Sequence, residues 1–375
     1  MFDSRRTRLT KTLIIAILLA ALVLSGCAGK RGWPGTVSEG GTLYVGTMDG
    51  RAVALNPDSG SRKWDWQPTA KQGGQTASFL SCGAGGSLVG GLLYGAPAIA
   101  NGLVYVAFHT GMVYAIDAVS GTQKWDYDLR STVSGGVAVG NDTLFVGSSN
   151  GKLSALNVGN GSLKWEFSSE NEIWATPAVV DGVVYFGSLD HSFYALNAAD
   201  GTKKWAFKTG GGIASTPLLV EGAIYVGSFD NKFYAIDADT GAQKWVFEGA
   251  GNWFWSQAAY NNGTIYAGCL DHNVYALDAG NGTPAWPQPF KAGDQVKSSP
   301  VIAGGVLVVA SEVGTVYGLD LKTGGKKWEF DGVTTKVLSA LYGAGGTVYI
   351  NSQDNKLYAL DGETGRQIWA VPLSK

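Results

Sequence analysis

An all-β fold, an eight-bladed β-propeller of four-stranded antiparallel blades, is predicted by three observations. The 375-residue chain carries 55 glycines and 11% aromatic residues, spread along its length as many short strands and tight turns require. One tryptophan recurs, as Trp64, Trp125, Trp165, Trp205, Trp245, Trp286, Trp328 and Trp369, at spacings of 61, 40, 40, 40, 41, 42 and 41 residues. A period near 40 is the mark of a repeat architecture. Within each period, apolar and polar residues alternate as in half-buried strands, and the breaks carry Asp, Asn and Gly.

The unit ending at Trp245 shows each element in turn. "ASTPLLV" (Ala214 to Val220) reads as a first strand, and Glu221-Gly222 as a turn into a second, "AIYVGS" (Ala223 to Ser228). Asp230-Asn231 turns the chain into "KFYAID" (Lys232 to Asp237), and "DTG" (Asp239 to Gly241) turns it into "AQKWVFE" (Ala242 to Glu248). Such a sheet is apolar on both faces and needs a neighbour on each, which radial repetition supplies. The tryptophan reads as a wedge docking one blade against the next.

Residues 1–26 form a separate expectation. Arg5, Arg6, Arg8 and Lys11 precede the apolar run Leu13 to Leu24, and "LSGC" follows at Leu24 to Cys27. A basic head, an apolar middle and small residues read as a secretory signal. The tetrapeptide has the pattern of a lipobox, with Cys27 as the lipidated residue. The run is short of the ~20 apolar residues of a spanning helix, so acyl chains on Cys27 would attach the protein to the membrane. The expected organisation is a signal peptide at 1–26, a lipid-anchor linker at 27–32 and one propeller at 33–375, with an inserted loop at about 69–93. Ala28, not Asp, follows Cys27, which fits the outer membrane in a two-membrane host and the outer face of the cell in a single-membrane one. Cys269 occupies the position of Ser148, Ser188 and Ser228 and reads as a small buried residue. A Cys82–Cys269 bridge is the less favoured alternative.

With net charge −2 and 15% charged residues, no nucleic-acid partner is expected. Glycine-rich strings such as "GTMDG" are hairpins, not phosphate cradles. His109, His191 and His272 fall at turns between second and third strands and read as exposed turn residues. Acidic groups between third and fourth strands, such as Asp237, Asp239, Asp278 and Asp361, read as turn-makers, because Asn56, Asn157 and Asn197 replace the first Asp in three copies. No metal site and no catalytic residue are assigned.

The strings "AIDADTGAQKW", "AIDAVSGTQKW" (Ala115 to Trp125) and "GLDLKTGGKKW" (Gly318 to Trp328) resemble the tryptophan-docking motif of the pyrroloquinoline quinone (PQQ) repeat family, over residues ~33 to 373. The resemblance implies a quinoprotein alcohol dehydrogenase-like propeller. That family holds dehydrogenases that bind the quinone with calcium, and also non-enzymatic lipoproteins of outer-membrane β-barrel assembly. The chain has neither the adjacent Cys-Cys pair those enzymes set against the quinone nor a C-x-x-C-H haem site. The reading is therefore a membrane-anchored extracytoplasmic scaffold, not an enzyme, monomeric within a complex of envelope proteins and without a cofactor. The alternative is a PQQ- or carbohydrate-binding protein, or a quinoprotein dehydrogenase-like enzyme using PQQ with calcium.

Residues that depart from the repeat carry the site expectation. One first-strand position holds, blade by blade, Trp33, Tyr94, Ser134, Trp174, Ala214, Trp255, Lys297 and Leu338, and the next residue is always small. This ring should surround one mouth of the axial channel, together with "SSENEIW", "GAGNWFW" and "KAGDQVK". Candidate partner contacts are Trp174, Trp253, Phe254 and Trp255, with Glu170, Glu172 and Lys297 around them. The competing reading packs these rings between adjacent blades.

Overall fold

In the computed structural model, residues 32–69 and 91–374 are described. Cys27, Cys82, the signal and linker segments up to residue 31, and residues 70–90 of the inserted loop lie outside the described residues.

Among the described residues, thirty-two strands form eight four-stranded antiparallel sheets, each made of four strands consecutive in the chain. Blade one spans Thr36–Trp66, and blade eight ends at Pro372. In blade five the strands are Leu218–Val220, Ala223–Gly227, Phe233–Asp237 and Gln243–Phe247. Second, third and fourth strands thus agree closely with the sequence reading. The first strand is shorter than expected. Pro217 has no N–H for a ladder, and before it the Ser215 hydroxyl accepts from Gly227 N (3.1 Å) and donates to Gly227 O (2.9 Å).

Each blade pair shares one apolar cluster. The one between blades five and six gathers Tyr225, Phe233, Trp245, Phe254, Ile265 and Tyr275; the one between eight and one gathers Leu43, Val53, Tyr349 and Leu357. Every repeat tryptophan donates its indole N–H to a backbone carbonyl of the next blade, Trp64 to Ala118 at 2.9 Å and Trp245 to Ala279 at 2.9 Å among them. A second-strand tyrosine often donates to the same carbonyl, as Tyr225 does to Ala279 at 3.0 Å. The glycine of the third-to-fourth turn lies under the ring: a Cβ on Gly241 would sit 2.6 Å from Trp205 Cδ2. Wedge, carbonyl and glycine therefore form one joint, and the recurring motif encodes both halves of it. The turns are held by Asx bonds, with Asp117 accepting from Ser120 N at 2.8 Å and Asn157 from Gly159 N at 2.9 Å.

Blade six departs from the pattern. Its fourth strand is only Phe290–Lys291, because Pro284, Pro287 and Pro289 surround Trp286 and remove ladder donors. The wedge survives, with Trp286 donating to Leu321 O at 3.0 Å. Where blade eight meets blade one, Arg51, buried among Asp49 and Asp65, donates to Leu373 O at 2.8 Å. Asn351 Nδ2 donates to Pro34 O and Gly46 O at 3.1 and 2.9 Å. The ring is closed by packing and hydrogen bonds, without exchange of a strand.

Candidate functional site: the axial cavity and its mouth

The chain enters each blade beside the axis. All eight ring positions line one cavity of about 320 Å³. Side chains alternate along these extended segments, so the residue two further on also faces inward. A second tier results, with Thr176, Thr216, Gln257 and Ser299 below the ring. The residue between the tiers is small because neighbouring backbones converge there: a Cβ on Gly95 in place of hydrogen would lie 2.4 Å from Gly136 Cα. The sequence reading found the upper tier and missed the lower, although the same period of two would have located it.

Aromatic rings crowd the mouth. Trp33 meets Tyr94 edge-on at 4.3 Å between centroids and Trp255 at 6.4 Å, and Trp174 lies 6.2 Å from Trp255. These four rings face the cavity and are not packed between blades. Phe229 is stacked between Trp255 (5.6 Å) and Trp253 (4.4 Å), which makes a ladder from the cavity to the surface. Trp253 ends it, 39% exposed.

The other candidates divide between surface and interior. Glu170 is exposed, its N–H donating to Asp190 at 3.0 Å. Glu172 accepts the Trp174 indole N–H at 2.5 Å and fixes that ring. Lys297 lines the cavity, but its ammonium is paired with Glu312 at 2.7 Å, and Lys336 reaches the same carboxylate at 2.6 Å. Burial alone would raise the Glu312 pKa; hydrogen bonds from the two lysines outweigh it and hold the carboxyl below its ordinary value. Phe254 requires correction. It is 1% exposed, 5.2 Å from Phe233 and 5.9 Å from Tyr275, and belongs to the core between blades five and six. It occupies the buried position held by Ile173 and Ile213 in earlier blades, so it cannot touch a partner.

His191 and His272 are exposed and adopt left-handed backbone (φ 68° and 73°) at a turn position that is Gly111 or Gly151 elsewhere. His109 differs from the reading as an exposed turn residue. It is half-buried, lines the cavity, and places Nδ1 2.9 Å from Val133 O and its ring 4.9 Å from Tyr94. Burial pushes the Tyr94 phenol above its ordinary pKa, so it remains a neutral hydroxyl. Cys269 is a fully buried free thiol, with Sγ 3.2 Å from Asn252 O. Among the described residues, no group of three or more His, Cys, Asp or Glu is placed to hold a metal ion.

A closed ring of eight tryptophan-docked blades around an aromatic-mouthed cavity defines a quinoprotein-like propeller. The chain belongs to the family described as outer membrane protein assembly factor BamB, whose model matches residues 25–132, 109–245 and 249–375. No curated protein is matched by its sequence. Among solved structures, it is similar to BamB from Moraxella catarrhalis, at 18% identity and TM-score 0.68 over 88% of this chain and 93% of that one. A computationally designed protein, Ika8, aligns at 14% identity and TM-score 0.71, over 88% and 97% of the two chains. Quinohemoprotein alcohol dehydrogenase from Comamonas testosteroni aligns at 16% identity and TM-score 0.64, over 75% of this chain and 67% of that one. These likenesses establish the shared fold.

Proposed function

We propose that the protein is a lipid-anchored scaffold of the cell envelope that docks protein partners on the mouth face of its propeller during assembly of outer-membrane β-barrel proteins. The observation that carries this reading is the family match, which runs through all eight blades. Cys27 would bear the lipid, holding the propeller at the outer membrane or, in a single-membrane host, at the outer face of the cell. Trp253 and Glu170 would be the docking contacts: both are exposed, and the Trp253 ring is already ordered by Phe229, which lowers the entropy lost on binding. Trp174, Glu172, Trp255 and Lys297 would support that rim from inside.

The dehydrogenase fold also carries a quinone reading, but the cavity's donor set counts against it. Calcium takes six to eight oxygen ligands, largely carboxylates, and among the described residues no carboxylate lines this cavity. The residues present do not fit a calcium-bound quinone.

The test is purification of the tagged full-length lipoprotein from its native membranes in mild detergent, with mass spectrometry of co-purified proteins, of any quinone and of the Cys27 peptide. Recovery of β-barrel assembly components, reduced by Trp253→Ala with Glu170→Ala, supports the scaffold. A stoichiometric quinone without those components overturns it.

A further inference from the structure

We propose that the axial cavity is a binding site for a neutral saccharide of one or two pyranose rings. This goes beyond the docking of proteins at the rim, since it concerns the space beneath.

Three features select the ligand. Size comes first: about 320 Å³ lies at the lower end of small-molecule sites. Second, the two tiers differ in chemistry. Trp33, Tyr94, Trp174 and Trp255 form the upper walls, meeting edge-on or tilted with no pair stacked face to face. The lower tier offers hydrogen-bonding capacity that the protein does not use. The hydroxyls of Thr216 and Ser299 have no protein partner among the described residues. Gln257 spends its amide N–H on Pro217 O (3.0 Å) and keeps its carbonyl free, while the Thr176 oxygen accepts from Gly136 N (2.8 Å) and keeps its proton. The Ser256 hydroxyl, also in the lining, is buried without a partner.

Charge is the third feature. Among the described residues no carboxylate lines the cavity, and the lysine in its lining, Lys297, is paired with Glu312, which it shares with Lys336. A cationic ligand would find no counter-charge, and an anionic one would have to compete with Glu312 for Lys297. A wholly apolar ligand would displace water from the lower-tier hydroxyls and leave them unpaired. A pyranose ring meets both tiers: its C–H faces lie against aromatic rings, and its hydroxyls donate to and accept from neutral Thr, Ser and Gln groups.

The experiment is titration of the full-length protein, in a non-glycosidic detergent, with cellobiose, maltose and N,N′-diacetylchitobiose. Calorimetry and ligand-observed NMR read the binding, with glucuronic acid and PQQ as charged controls. At least one neutral disaccharide should bind saturably, and Trp255→Ala should weaken it by about tenfold, as loss of one aromatic contact does. Should that variant melt early, the pair Thr216→Val and Gln257→Leu decides, since it removes hydrogen bonds without emptying the walls. No binding of any neutral probe up to about 10 mM, tighter binding of glucuronic acid or the quinone, or indifference to the Thr216/Gln257 pair would each overturn the proposal. The readout is sugar binding to purified protein, so its failure is distinct from failure to recover protein partners.

Discussion

Trp369 of the last blade donates its indole N–H to the backbone carbonyl of Pro57 in the first, at 3.0 Å. The same bond joins Trp205 to Ala238 at 3.2 Å in the middle of the ring, so closure uses the ordinary joint between neighbours. Trp369→Phe should cost about 1 kcal/mol, the net worth of one hydrogen bond. Trp369→Ala should cost about 3 kcal/mol, the lower part of the range for loss of a large ring, since this one is half-buried. Trp205→Ala should match it in urea melts. A far milder Trp369→Ala would mean that Arg51 and Asn351 carry the closure.

The two glycines of blade five separate backbone from contact effects. Gly222 and Gly241 have nearly the same φ, 71° and 73°, but a Cβ on Gly222 meets nothing within 4 Å, whereas one on Gly241 strikes Trp205. Gly222→Ala should therefore cost about 1 kcal/mol from the left-handed backbone alone. Gly241→Ala should add about 1–3 kcal/mol of overpacking. Equal melting midpoints for the two variants would show that the wedge yields without strain.

Cys269 makes the contacts that serines make in other blades. Its Sγ lies 3.2 and 3.4 Å from Asn252 O and Trp253 O, as Ser228 Oγ lies 3.2 and 3.4 Å from Gly211 O and Gly212 O. Cys269→Ser should thus change stability by less than about 1 kcal/mol. Burial pushes the thiol pKa upward, which disfavours the nucleophilic thiolate. Peptide mapping after iodoacetamide treatment should find Cys269 unmodified in the folded protein and modified in urea. The linked stability is fully present below the ordinary thiol pKa of about 8.5 and is lost as pH rises above it. Rapid native labelling at neutral pH would contradict the buried placement.

The sequence exposed the blades because every joint except the closing one, from Trp369 to Pro57, links blades consecutive in the chain: a wedge such as Trp205 meets a turn glycine, Gly241, one period later. Alternation also brought the upper ring of the cavity into view. Less visible were features set by convergence at the axis. The first strand of blade five begins at Leu218, not Ala214, because Pro217 has no N–H for the ladder and Ser215 reaches Gly227 of the second strand through its hydroxyl. Phe254 looked like part of an aromatic surface run, "NWFW", yet alternation turns Trp253 and Trp255 outward and axial while Phe254 enters the core. His109 and Lys297 acquire their surroundings from Tyr94 and Glu312 of their own blades, where a lead-in segment meets the second-to-third turn, and His109 also from Val133 on the lead-in to blade three, contacts that no local spacing encodes.

Glu312 supplies the acid-side prediction. Its carboxylate is 12% exposed and bridges Lys297 and Lys336, which hold its pKa below the ordinary value despite burial. A depressed folded-state pKa means that the contribution is fully present above the unfolded carboxyl value of about 4.3 and is lost as pH falls through the lower folded value. Glu312→Gln should therefore lower stability at pH 7 by about 1–2 kcal/mol, less than a fully buried pair would lose because both lysines can reach water. The gap between wild type and variant should hold from about pH 8 to pH 5 and narrow below about pH 4. Thermal melts across that range check it. A gap that persists unchanged at pH 3 would assign the effect to packing around residue 312 and not to its charge.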